Sequence, residues 1–221
     1  MSFEKIAARL QELQQRVSML SGGRKINLIA VSKTRSVDEI RALLQAGHMD
    51  FGENYAQEVL EKWPQIKADF PMARLHFIGN LQSNKIKKLL PICDFFHTLD
   101  RESVIEVLAK EIKKSCRLVE CFLQVNIGSE PQKAGVLPGE LKALYRAAIN
   151  SEIKIIGLMC IPPATMQALP YFQQMQNIAA EYNLENLSMG MSDDFAEAIK
   201  CGSTHIRIGT ALFGPRKLER A

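Results

Sequence analysis

No run of apolar residues in this 221-residue sequence approaches the roughly 20 that a bilayer-spanning helix requires. The first stretch, from Met1 to Leu20, carries Glu4, Lys5, Arg9, Glu12 and Arg16, which does not suit the core of a secretory signal. Cys93, Cys116, Cys121, Cys160 and Cys201 are odd in number and contain no C-x-x-C pair. Neither a disulfide framework nor a thiolate zinc site is indicated, so the five read as reduced core residues of a cytoplasmic protein. With 13 Gly and 9 Pro the chain has too little of either for a collagenous or low-complexity polymer. A net charge of +4 is too small and too scattered to point to a nucleic-acid partner. Also missing are H-E-x-x-H, a Walker lysine loop, G-x-G-x-x-G, a G-x-S-x-G elbow and EF-hand spacing. His48, His76, His97 and His205 do not pair at ligand intervals, which leaves metal catalysis little support.

What is present is an ordinary globular composition, 47% hydrophobic and 24% charged, in a length that suits one large core. Phe3, Ile6, Leu10, Leu13, Val17 and Leu20 alternate at three- and four-residue steps, one apolar stripe on a helix that Ser21-Gly22-Gly23 ends. Six anchors predict a docking helix; a short dimer seam is the alternative reading. From residue 26 onward, eight short β-prone runs follow: Ile26 to Ser32, Met49 to Glu53, Leu75 to Gly79, Phe95 to Leu99, Leu118 to Asn126, Ile153 to Cys160, Asn186 to Met189 and His205 to Ile208. Helical patterns lie between them: Val37 to Ala46, Ala56 to Lys67, Lys85 to Leu90, Arg101 to Lys114, Pro138 to Asn150, Leu169 to Tyr182 and Asp194 to Lys200. Strict alternation needs crossovers, and crossovers imply parallel strands buried on both faces. A doubly wound open sheet shares that pattern; the count of eight favours a (β/α)8 TIM-like barrel. The predicted organisation is one domain over 1–221, with residues 1–22 as an added N-terminal helix and 26–214 as the barrel. No hydrophobic segment is left over, so a monomer is expected.

Reactive groups of such a barrel sit where its strands end. The first strand runs into Ser32-Lys33-Thr34-Arg35, where a lysine with a buried stem and a desolvated tip becomes an amine nucleophile for a carbonyl. The plain alternative is a surface lysine opening a loop. The second strand runs into Gly52-Glu53-Asn54-Tyr55, in which Asn54 could equally be a helix N-cap. His76 lies within the third strand, a position that more often holds a satisfied core histidine than a ligand. Lys85, Lys87 and Lys88 read as the wet face of a short helix beside Ile86 and Leu89. Ser188-Met189-Gly190-Met191-Ser192-Asp193-Asp194 and Arg207-Ile208-Gly209-Thr210-Ala211 each combine glycine and hydroxyl groups with a helix start. Backbone N–H groups can converge there on a phosphate, although two ordinary capped turns would look the same. A lysine amine with a phosphate cradle and no metal suggests a phosphorylated carbonyl compound held as a Schiff base, a description that pyridoxal 5'-phosphate (PLP) fits.

Six motifs in order, Ala30-Val31-Ser32-Lys33, Phe51-Gly52-Glu53-Asn54-Tyr55, His76 to Gln82, Gly157-Leu158-Met159, Ser188 to Asp194 and Arg207 to Thr210, resemble the signatures of the pyridoxal phosphate homeostasis protein family. The resemblance spans nearly the whole chain and implies the barrel fold of the alanine racemase N-terminal domain. It further implies that Lys33 carries PLP as a Schiff base and that Ser192, Gly209 and Thr210 hold its phosphate. Arg207 would face the pyridine nitrogen, with Asn54, His76 and Met189 around the ring. An arginine there can only donate, so the nitrogen stays an unprotonated acceptor and the ring is a weak electron sink. Racemization also needs a proton donor on each face, and Lys33 serves one; the tyrosine that alanine racemases take from a C-terminal domain has no counterpart after Gly214. The expected function is therefore buffering or delivery of PLP, with PLP-dependent apoenzymes as possible partners. The alternative is a low-activity amino-acid racemase or lyase that uses Tyr55 or another strand-end group as the second acid.

Overall fold

The computed structural model describes residues 3–164 and 166–215. Helix α1 (Phe3–Ser21) precedes a regular alternation: β1 (Asn27–Val31), α2 (Val37–Gln45), β2 (Asp50–Glu53), α3 (Ala56–Asp69), β3 (Arg74–Phe77), α4 (Ser83–Leu89) and β4 (Phe95–Leu99). It continues with α5 (Glu102–Ser115), β5 (Glu120–Val125), α6 (Leu141–Asn150) after a short 3-10 turn, β6 (Ile155–Cys160), α7 (Leu169–Glu181), β7 (Asn186–Ser188), α8 (Phe195–Lys200), β8 (His205–Ile208) and α9 (Thr210–Phe213). Each strand pairs in parallel with the next, and β8 returns to β1 in the register Asn27 to His205 through Ala30 to Ile208, closing the barrel. The fold expected from the alternation is therefore the one observed. Among the described residues no helix is long and apolar enough to cross a membrane.

Local chemistry explains the elements. Ser36 caps α2 with a full capping box, its hydroxyl accepting from the Glu39 amide while the Glu39 carboxylate accepts from the Ser36 amide. Helix α1 has no basic residue in its last turn and is held instead by burial of Ile6, Leu10, Leu13 and Val17, worth roughly 1.5–3 kcal/mol for each fully buried side chain. It packs on α2, α8 and α9, so the predicted stripe docks within the chain. The basic residues of α4 lie on its outer side while Ile86 and Leu89 are buried, as expected. Cys93, Cys121, Cys160 and Cys201 are free and buried, but Cys116 is exposed, contrary to its reading as a core residue. It occupies the left-handed turn that ends α5, with φ 52°, where the chain leaves the helix for solvent.

Strand alternation sorts the interior into two layers. Leu28, Phe51, Leu75, Phe96, Leu123 and Ile206 face outward and join helix residues such as Leu43, Trp63 and Phe172 in one continuous core. Ile29, Ile78, Phe122 and Met159 are also buried but stand apart from that core, on the inward positions of their strands. The inner layer is unusually polar, since it also takes His76, His97, Ser188, His205 and Arg207, all nearly inaccessible to solvent.

Candidate functional site

Lys33 lies two residues past the end of β1, in the turn at the C-terminal end of the barrel, and is half-buried. The turn that carries it is strained at Thr34, φ 61°, and is held from below by an ion network. Lys62 of α3 donates to the carbonyls of Ser32 (3.1 Å) and Arg35 (3.4 Å) and contacts the carboxylates of Glu53 (2.7 Å) and Glu58 (2.6 Å). Glu58 also accepts from the Thr34 amide at 2.8 Å, and Glu53 from the Ser32 hydroxyl at 2.7 Å. Glu53 points away from the barrel axis and has no solvent exposure. Burial pushes its carboxyl above the usual range, while Lys62 and Ser32 pull it back.

Asn54 does not cap α3. The N-cap is Tyr55, which makes no side-chain cap bond, and the Asn54 Oδ1 is buried with no hydrogen-bond partner among the described residues. A buried amide oxygen without a donor costs about 1–3 kcal/mol, so this atom is suited to receive one from a ligand. The Asn54 backbone is brought inward by its approach to Gly79, where an added Cβ would lie 1.9 Å from the Asn54 carbonyl oxygen. Gly79→Ala is therefore expected to melt at least several degrees below the wild type by calorimetry. An unchanged melt would show that the β2 and β3 ends separate freely. Between these strand ends and those of β4 to β6 lies a cavity of about 290 Å³, lined by Asn54, Thr98, Gln124, Lys133 and Met159.

Arg207, on the inward face of β8, donates through Nη1 to Ser188 Oγ (2.8 Å) and through Nη2 to the Cys160 carbonyl (2.9 Å). Both acceptors are neutral, and among the described residues no carboxylate lies within ion-pair distance of this buried guanidinium. Burial accordingly pulls its pKa down. After β7, Gly190 takes φ +95° and packs so tightly that a Cβ would meet that of Ala198 at 2.6 Å. The Asp194 carboxylate accepts from the Met191 amide at 2.6 Å and shapes the turn on which Ser192 is half-buried. After β8, Gly209 stands against Val31 and opens the single turn of α9, with Thr210 exposed. Lys33, Asn54, Ser192, Arg207 and Gly209 thus belong to strands or loops at the C-terminal end of the barrel, and Thr210 begins α9 there.

Two expected neighbours are elsewhere. His76 points down the barrel, bonded to Asp50, the first residue of β2, and stacked on Phe95, the first residue of β4, so it lies toward the N-terminal end. Its strand runs on through Phe77, and Ile78 follows, before the chain reaches the mouth, which accounts for the displacement. Met189 follows the inward Ser188, so alternation turns its side chain into the layer between strands and helices, where it is fully buried. Tyr55 is half exposed at the start of α3.

A family model described as the N-terminal domain of alanine racemase matches residues 2–217. The pyridoxal phosphate homeostasis protein of Escherichia coli (strain K12) is 34% identical over 231 residues, covering 97% of this chain and 98% of that protein. The protein of the same name from Pasteurella multocida (strain Pm70) is 37% identical over 206 residues, 88% of each chain. The chain belongs to the pyridoxal phosphate homeostasis protein family. PipY of Synechococcus elongatus PCC7942, solved without PLP, matches it with a TM-score of 0.86 at 36% identity over 95% of this chain and 100% of PipY. The PLP-bound form of PipY matches with a TM-score of 0.85 at 34% identity. In this member of the pyridoxal phosphate homeostasis family, Ser188 stood inside a quoted motif without a role of its own, and His97, Gln124 and Lys133 were not singled out by motif. Their signal was the inward position of a polar residue on an otherwise apolar strand, or a place on the loop after β5.

Proposed function

We propose that this chain binds PLP at the C-terminal mouth of its barrel and serves to hold and release the cofactor within the cell. The observation that carries the reading is Arg207, a permanently charged group buried where its protein partners are neutral acceptors only. Such a group is costly to bury, and a further acceptor from a ligand would offset part of that cost. The unpartnered Asn54 Oδ1 at the same mouth supports it in the same way, as do the PLP-bound form of PipY and the name shared by the relatives.

Lys33 would supply the amine that holds the cofactor through its aldehyde. Ser192, Gly209 and Thr210 would hold its phosphate through hydroxyl and backbone N–H groups. Arg207 would be the donor to the ring nitrogen, and Asn54 would border the ring. When bound, PLP supplies an aldehyde and an electron-withdrawing ring. A guanidinium beside the ring nitrogen weakens that withdrawal, which favours storage over turnover. Among the described residues no hydrogen bond fixes the side chain of the half-exposed Tyr55, so the racemase or lyase reading gains nothing from it.

The test is an absorption titration with PLP before and after borohydride reduction, with mass analysis of the reduced protein. A band lost on reduction, with the added mass on Lys33 and no such band in Lys33→Ala, is expected. A band that persists in Lys33→Ala, or its absence in the wild type, would overturn the assignment. Turnover is checked separately by incubating the loaded protein with amino acids in deuterium oxide; rapid exchange of the α-proton would replace the carrier with an enzyme.

A further inference from the structure

An unbroken line of polar side chains runs through the barrel, from its C-terminal mouth to its N-terminal end. Arg207 Nη1 meets Ser188 Oγ at 2.8 Å, and Ser188 Oγ meets His97 Nδ1 at 2.9 Å. His97 Nε2 meets His76 Nδ1 at 2.9 Å, and His76 Nε2 meets Asp50 Oδ1 at 3.0 Å. The second Asp50 oxygen receives Arg74, whose side chain is 47% exposed at the open end. Four strands, β8, β7, β4 and β3, thus hand one hydrogen-bonded chain to a fifth, β2.

With both imidazoles neutral, the ends of this chain set the direction of every bond between them. A guanidinium can only donate and a carboxylate can only accept. Ser188 therefore accepts from Arg207 and gives its own proton to His97 Nδ1. His97 then donates through Nε2 to His76 Nδ1, and His76 donates through Nε2 to Asp50. Both rings are neutral Nε2–H tautomers, and all four bonds point from the cation to the anion. Bonds aligned in this way in a dry interior strengthen one another. The surroundings keep the chain single-file: Phe95 stacks on His76 with centroids 4.1 Å apart, and Phe122 on His97 at 4.2 Å. His205 stands beside both rings at 6.4 and 6.1 Å but spends its nitrogens on Asn27 and Thr204. His48 is turned to the Asp50 carbonyl, and burial keeps all four imidazoles from charging readily. Among the described residues no group of three or more His, Cys, Asp or Glu is placed to hold a metal ion, so hydrogen bonding is the role this geometry gives them.

We propose that Ser188, His97, His76 and Asp50 are positioning residues that orient the Arg207 guanidinium toward the mouth from the far end of the barrel. The proposal rests on the reading of Arg207 as a partner of the cofactor. It makes the N-terminal end of the barrel part of the cofactor site's support, though no residue there touches the ligand. A set of core histidines satisfied for packing alone would not transmit a change at Asp50 to the opposite mouth.

The experiment has two arms on the full chain. Nitrogen-15 NMR of labelled histidines, without PLP, is expected to show Nε2 protonated and Nδ1 bare in both His76 and His97. Protonation at Nδ1 of either ring breaks the chain and overturns the proposal. In the second arm PLP is titrated into Asp50→Leu and Asp50→Asn. Loss of the acceptor in Asp50→Leu is expected to weaken PLP binding about tenfold and to shift the absorption of the bound cofactor. Asp50→Asn, whose amide oxygen still accepts from His76, is expected to restore binding to about twofold of the wild type. If Asp50→Leu does not fold, Ser188→Ala removes the link directly beneath Arg207 and is expected to show the same loss. Folded Asp50→Leu and Ser188→Ala that bind and absorb like the wild type defeat this proposal alone. A wild type that binds no PLP defeats the cofactor reading and takes the proposal with it.

Discussion

Lys62→Met is expected to melt about 10 °C below the wild type, and the deficit should widen from pH 5 to pH 8. The reason is that Lys62 is the only cation within ion-pair distance of Glu53 among the described residues, at 2.7 Å, and Glu53 is fully buried. Stripping one partner from a buried pair costs about 3–5 kcal/mol, and each kcal/mol lowers the melting point of a chain this size by about 2–4 °C. The pH dependence carries a definite sign. Burial raises the Glu53 carboxyl above its ordinary value of 4.5 even with Lys62 present. A group raised in the folded state contributes its stability fully below its unfolded value and loses it as the pH climbs through the folded one. Without Lys62 the rise is larger, so more stability is lost toward pH 8. Thermal melts across that range check this, together with the double variant Lys62→Met, Glu53→Gln, which should recover most of the loss. A deficit that shrinks with rising pH would exclude Glu53 as its source. Because Lys62 also holds the Ser32 and Arg35 carbonyls, the single variant should bind PLP more weakly than the double variant's stability alone would suggest.

The second large effect is on binding. Arg207→Met is expected to bind PLP about 10- to 100-fold more weakly, since a hydrogen bond from a charged donor is worth about 1.5–3 kcal/mol. The chain should still fold, because the variant removes a buried charge along with its bonds to Ser188 and the Cys160 carbonyl. Arg207→Lys should fall between the two, having the charge without the planar fork. Titration by absorbance decides the matter, and wild-type affinity in Arg207→Met would move the cofactor away from β8.

The barrel was legible because its strands are short, β-prone and separated by amphipathic helices, a pattern that survives without tertiary information. Edges shifted where the signal is weakest. The third strand begins at Arg74 and stops at Phe77, because Gly79 is committed to the contact with Asn54. The turn of α9 was not expected, having only Thr210 to Phe213 to show a period. Strand ends located Lys33 and Arg207, but composition does not say which face of a strand looks inward. The resemblance put His76 and Met189 near the ring and gave Ser188 no role of its own, whereas one residue of register decides between axis and helix layer. Asn54 read as a possible cap because caps and unpartnered ligand groups use the same side chain.

The docking of α1 bears on synthesis by the ribosome. Its apolar stripe is covered in part by α2, which follows within a few tens of residues, and in part by α8 and α9, which come after the other described helices. The β1–β8 seam likewise joins Asn27 to His205. A nascent chain therefore carries a half-covered helix and an open sheet edge until residues 195–213 have emerged, the interval in which premature strand pairing and aggregation compete with closure.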